Sequence, residues 1–84
     1  MYLARVYVTL KPKVNDPQGS TVLGALHSLG FSSAKDVRAG KYLEIRIDED
    51  GEARAEAQVQ EMGQKLLANP VIEEFHFELV RIEA

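Results

Sequence analysis

Two histidines, a few serines, an acidic turn and scattered glycines are the residues whose types could do chemistry in this chain. His27 and His76 have no second imidazole, cysteine or carboxylate at ligand spacing, so each reads as a satisfied or surface side chain and not as a metal ligand. Ser20, Ser28, Ser32 and Ser33 lie outside any Gly-x-Ser-x-Gly elbow, which leaves a hydrolytic triad without support. Gly24, Gly30 and Gly40 are too scattered to cradle a phosphate, and Gly40-Lys41 is followed by Tyr42 where a nucleotide loop needs Ser or Thr. Asp48-x-Asp50-Gly51 opens like a calcium loop, but the chain turns into a helix before such a ligand set is complete. The stretch left over is Asp16-Pro17-Gln18-Gly19. Asp16 can accept hydrogen bonds from the first free amides of a helix, and Pro17 suits the next position, where an N–H has no partner to lose. Capping needs only these two; Gln18 and Gly19 are the stronger pointers to a contact with another molecule.

The elements around this stretch follow from periodicity. Tyr2, Ala4, Val6, Val8 and Leu10 alternate with a mixed set that includes Leu3, Arg5 and Tyr7, which predicts a strand over 2–10 that ends before Pro12. A helix runs from the Asp16 cap to about Leu29, with Val22, Leu26 and Leu29 on one face, and Gly30 is placed to stop it in a left-handed conformation. Gly24 in mid-helix implies a backbone close by, as in tight packing on a sheet. A second strand covers Asp36 to Ile47 with an interruption at Gly40, as one bent strand or a short hairpin; the bent strand is favoured, and the bend would take Lys41 off the core face. The acidic turn 48–52 leads into a second helix, about Glu52 to Ala68, striped by Ala55, Val59, Met62 and Leu66. Asn69 closes it and Pro70 forbids continuation, after which a last strand runs from Val71 to about Ile82.

The expected class is α+β, in the order β-α-β-α-β, with a mainly antiparallel sheet and two helices on one face. If both helices cover one face, Leu3, Tyr7, Ile72, His76, Val80 and Ile82 are left on the other, which is then expected to be buried against another chain.

Length and composition bound the answer. At 84 residues with 45% hydrophobic content, a single domain spanning 1–84 is expected, one small enough that self-association would help to stabilise it. Without cysteine there is neither a disulfide frame nor a thiolate metal site. Thirteen acidic and ten basic residues, net charge −3, are mixed along the chain with no basic block, so nucleic acid is not the expected partner. The N-terminal run is interrupted by Arg5 and has neither the length nor the continuity of a signal peptide or membrane span, so no membrane is expected and the cytoplasm is the expected location.

Nearly the whole chain resembles the PurS family, the small subunit of phosphoribosylformylglycinamidine synthase in purine biosynthesis. The residues that carry this are Val6-x-Val8-x-Leu10-Lys11, Asp16-Pro17-Gln18-Gly19, Ala25-Leu26-x-x-Leu29-Gly30, Val37-Arg38-x-Gly40-Lys41 and Leu66-Leu67-Ala68-Asn69-Pro70-Val71-Ile72-Glu73, in this order. The resemblance implies a non-catalytic subunit that binds no cofactor of its own. ATP and glutamine are used by its partners, a synthetase subunit (PurL) and a glutaminase subunit (PurQ), which it helps to assemble so that ammonia passes between them. It also implies a homo-oligomer, dimeric or tetrameric. By analogy, Asp16, Pro17, Gln18 and Gly19, then Arg38, Gly40 and Lys41, then Asn69 and Pro70 are the candidate partner contacts. Two other classes of function stay open on the residues: a regulatory module with a small molecule bound between protomers, and a small enzyme using His27 or His76.

Overall fold

The computed structural model describes residues 1–83. Strand β1 (Tyr2–Leu10) is followed by helix α1 (Pro17–Ser28), strand β2 (Gly40–Ile47), helix α2 (Glu52–Met62) with a π-helical turn (Gly63–Leu67), and strand β3 (Glu73–Arg81). The sheet order is β2-β1-β3, with both outer strands antiparallel to β1. The expected class and element order are therefore those observed.

The alternation in β1 is what seats it in the centre. Tyr2, Ala4, Val6 and Val8 are all buried on one face, and the register places Leu43, Ile45 and Ile47 of β2 and Phe75, Phe77 and Leu79 of β3 beside them. Ala55 and Val59 of α2 are completely buried, and α2 lies on this face along β1. Gly63 abuts the Phe75 ring, so that a Cβ at that position would collide with it. The Ala68 amide reaches the Gly63 carbonyl at 3.1 Å, one residue further back than in an α-helix, and this wider turn closes the helix with Ala68 buried.

Four features depart from the sequence expectation. Residues 36–39 are not strand: the Val37 amide donates to the Asp36 carboxylate (3.0 Å) and the Ala39 amide to the Asp16 carboxylate (2.7 Å), so side chains take the amides a ladder would use. β2 instead begins at Gly40, where a Cβ would strike the Val8 carbonyl. No bend removes Lys41 from the core face either; it pairs with Val8 in register with Leu43 and Ile45, but at the end of the strand, where its ammonium stays exposed. Val71 and Ile72 belong to a turn before β3, with the Ile72 and Glu73 amides donating to the Asn69 carbonyl at 3.2 and 2.7 Å.

The last departure concerns α1. It ends as expected, with Gly30 at φ 96°, but the sheet does not bury it. Of its residues only Gly19 is buried, Val22 is 46% exposed, and beyond the helix's own backbone nothing lies within 4 Å of where a Gly24 Cβ would be. Its apolar stripe divides, with Leu23 and Leu26 half-buried and Val22 and Leu29 outside. The Cα radius of gyration is consequently 16.4 Å, against about 12 Å for a compact chain of this length.

Candidate functional site

The candidate residues converge on one end of the sheet, where β1 finishes and β2 and β3 begin. Asp16, Pro17, Gln18, Gly40 and Lys41 line a single depression of about 400 Å³ floored by Val8 and Leu10. Arg38 faces a neighbouring hollow that shares Leu10 with it, and Pro70 faces a third that shares Glu73. Asn69 lies at the turn between them.

Asp16 organises this end. One carboxylate oxygen accepts from the Gly19 amide at 3.0 Å, capping α1, while the other accepts from the Ala39 amide at 2.7 Å. The Gly19 amide, then the Ala39 amide, with the Arg38 charge adding to them, hold the Asp16 carboxyl below the usual carboxylate range. Gly19 lies against the Val37 carbonyl, where a Cβ would clash. The Arg38 guanidinium donates to the carbonyls of Lys11 (3.1 Å) and Val14 (2.9 Å), fixing the loop that precedes the cap. The Lys11 ammonium donates to the Pro70 carbonyl at 2.7 Å and ties in the other turn. In that turn the Asn69 side chain accepts from the Val71 amide at 3.1 Å.

Intramolecular contacts thus account for Asp16, Gly19, Arg38, Gly40 and Asn69. Gly19, which capping alone left unexplained, is buried in a close backbone approach inside the chain. Pro17, Gln18, Lys41 and Pro70 remain exposed. Gln18 makes no side-chain hydrogen bond among the described residues, and the Lys41 ammonium reaches only the Leu67 carbonyl, at 3.5 Å. Asn69→Ala is expected to lower stability by about 1 kcal/mol in denaturant unfolding while leaving any complex with partner proteins intact. Weakened assembly with unchanged stability would give Asn69 a direct contact instead.

Neither histidine is poised for catalysis. His27 Nε2 donates to the Ala34 carbonyl at 2.8 Å, and His76 stacks on Tyr7 with ring centroids 4.8 Å apart. Among the described residues no group of three or more His, Cys, Asp or Glu side chains could hold a metal ion.

Period-two reasoning reached the apolar members of the open sheet face but missed how its polar residues pair across strands. Register sets Glu44, Arg5 and Glu78 in one row and Tyr42, Tyr7 and His76 in the next. Tyr7 and Tyr42 donate to Glu78 (3.2 Å) and Glu44 (2.9 Å), and Arg5 lies 3.8 Å from Glu78. Burial first, and then these carboxylates, push both phenols up, so they stay protonated donors. The face expected to be covered by another chain thus carries a row of rings and the Arg5–Glu78 ion pair, and Tyr42, His76 and Val80 on it are exposed.

The fold and this end define a class: a small β-α-β-α-β chain whose candidate residues gather at the end of the sheet where β1 finishes and β2 and β3 begin. Residues 3–81 match the family model PurS, described as phosphoribosylformylglycinamidine (FGAM) synthase. The chain is 48% identical over 84 residues to the phosphoribosylformylglycinamidine synthase subunit PurS of Bacillus subtilis, covering 100% of this chain and 99% of that one. The crystal structure of Methanocaldococcus jannaschii PurS superposes with a TM-score of 0.88 at 41% identity, over 99% of this chain and 100% of that chain. A chain in the structure of PurLQS from Thermotoga maritima superposes with a TM-score of 0.84 at 25% identity, over 95% and 99%. The protein belongs to the PurS family. No helix among the described residues is long and apolar enough to cross a membrane.

Proposed function

We propose that this chain is the non-catalytic small subunit of a phosphoribosylformylglycinamidine synthase in purine biosynthesis, working in the cytoplasm. It joins the glutaminase subunit to the ATP-dependent synthetase subunit so that ammonia released from glutamine reaches the synthetase without escaping. It binds no cofactor itself; ATP and glutamine are consumed by the partners. It acts as a homo-oligomer. The observation that carries the reading is the convergence of Pro17, Gln18, Lys41 and Pro70 at one end of the sheet, with their side chains exposed, in a chain of the PurS family. An amide, an ammonium and two rigid prolines on a preformed edge suit recognition of a protein surface.

The test is reconstitution. Mixed with the synthetase and glutaminase subunits, the chain should co-elute with both and raise glutamine-dependent turnover, and by itself it should turn over nothing. Equal turnover by the two partners without it sinks the proposal. The double variant Gln18→Ala, Lys41→Ala should melt like the parent and bind the partners about tenfold more weakly, the size expected from one moderate hot spot. Unchanged affinity would move the docking edge elsewhere.

A further inference from the structure

Charge is sorted along the sheet in a way that chain order conceals. Lys11, Lys13, Arg38 and Lys41 come from two segments far apart in the sequence, and the fold sets both at the end where β1 finishes and β2 begins. At the opposite end β2 runs out at Ile47 beside Tyr2, and the acidic turn with Asp48, Glu49, Asp50 and Glu52 follows.

Ion pairing within the chain leaves those four cations alone. The pairs among the described residues are Arg5 with Glu78, Arg54 with Glu49 and Lys65 with Glu61. Lys11, Arg38 and Lys41 are held by carbonyls instead, Lys11 by that of Pro70, Arg38 by those of Lys11 and Val14, and Lys41 by that of Leu67. A carbonyl fixes where a cation sits without cancelling its charge. The carboxylates at this end are engaged by backbone amides, Asp16 by Gly19 and Ala39, Asp36 by Val37, and Glu73 by Asn69. Glu74 shares a hollow with Arg38 but forms no ion pair among the described residues. Lys13 is exposed and, among those residues, makes neither a side-chain hydrogen bond nor an ion pair.

We propose that this end docks on an acidic surface of a partner subunit, whose Asp and Glu side chains supply the carboxylates that Lys11, Lys13, Arg38 and Lys41 lack. This rests on the assembly function proposed above and gives the partner surface its charge. Three of the cations are already oriented by their carbonyls, so little ordering is left for the moment of contact. The same acidic surface repels the turn at 48–52, so the polarity of the molecule turns the right end towards it during approach. Lys13 thereby joins Gln18 and Lys41 as a docking residue, though nothing in the fold holds it.

Association kinetics of the full chain with the synthetase and glutaminase subunits test this. The association rate constant of the parent should fall at least about tenfold as salt is raised from about 50 to about 500 mM, with a much smaller change in dissociation. Lys13→Glu should melt like the parent, associate about fivefold more slowly at low salt and lose most of the salt dependence. Lys41→Glu should do the same, and should it misfold, Lys13→Glu carries the test. Lys13→Glu combined with Asp50→Lys restores the net charge and should remain slow, because the second change lies at the far end of the sheet, beyond the screening length. Recovery to the parental rate in that variant would mean that only net charge is felt, which overturns the patch. A salt-independent rate, or parental association by folded Lys13→Glu, overturns the acidic partner surface and leaves assembly standing. A parent that binds neither subunit overturns assembly itself, and the charged contact with it.

Discussion

Gly19→Ala is expected to destabilise the chain by about 2–3 kcal/mol, the range for overpacking a site whose neighbour cannot yield. For a domain of this size that lowers Tm by roughly 10–20 °C. The reason is specific. A Cβ at Gly19 would meet the Val37 carbonyl and come within 2.9 Å of an Asp16 carboxylate oxygen, so two polar groups that already have fixed places would both have to move. Relief requires α1 to lift away from residues 36–39, which breaks the contacts of Asp16 with the Gly19 and Ala39 amides together. The sheet and α2 do not depend on that junction, since their core is Ala4, Val6, Val8, Ile47, Val59 and Ala68. Amide hydrogen exchange should therefore show lost protection in α1 and at Ala39, with β1 close to parental. Uniform loss across β1 would mean that the junction supports the whole fold; no loss at all would mean that Val37 can retreat freely.

The same junction marks where a reading of the residues stops. Strand β1 was legible because period-two alternation depends only on one face being dry, and Tyr2, Ala4, Val6 and Val8 state that directly. Gly30 was legible because only a left-handed stop uses a glycine there. Residues 36–39 were not, since Val37 has the parity of a strand residue while its own amide is claimed by Asp36 and the Ala39 amide by Asp16, the latter distant in the chain. The exposure of α1 was equally hidden: an apolar stripe announces burial without saying whether the chain's own sheet supplies it. For the candidate site, the family motifs picked out residues that the fold gathers at one end of the sheet, but residue type could not separate Gly19, kept by a backbone clash, from Gln18, whose side chain the fold leaves exposed.

Acid should act on the cap before it reaches the core. Asp16 is only 5% exposed, and its two accepted hydrogen bonds hold its folded-state pKa below the unfolded value of about 3.9. A group with a depressed folded pKa binds its proton more readily when unfolded. Its stabilising contribution is complete above the unfolded pKa and disappears as pH falls through the folded one. Asp16→Asn removes the charge at every pH. The asparagine can still cap Gly19 through its carbonyl, but it offers the Ala39 amide a second donor where an acceptor is needed. At pH 7 the variant should melt about 5–10 °C below the parent, and the gap should be constant down to about pH 5 and then close as pH drops below about 4. Glu49 and Glu61 are also depressed, Glu49 first by the Gly51 amide and Glu61 first by Lys65. The parent's own acid loss therefore sums several groups, and only the difference between parent and variant isolates Asp16. A gap that persists unchanged to pH 2 would show that the cost of Asp16→Asn lies in the geometry at Ala39 and not in the lost carboxylate charge.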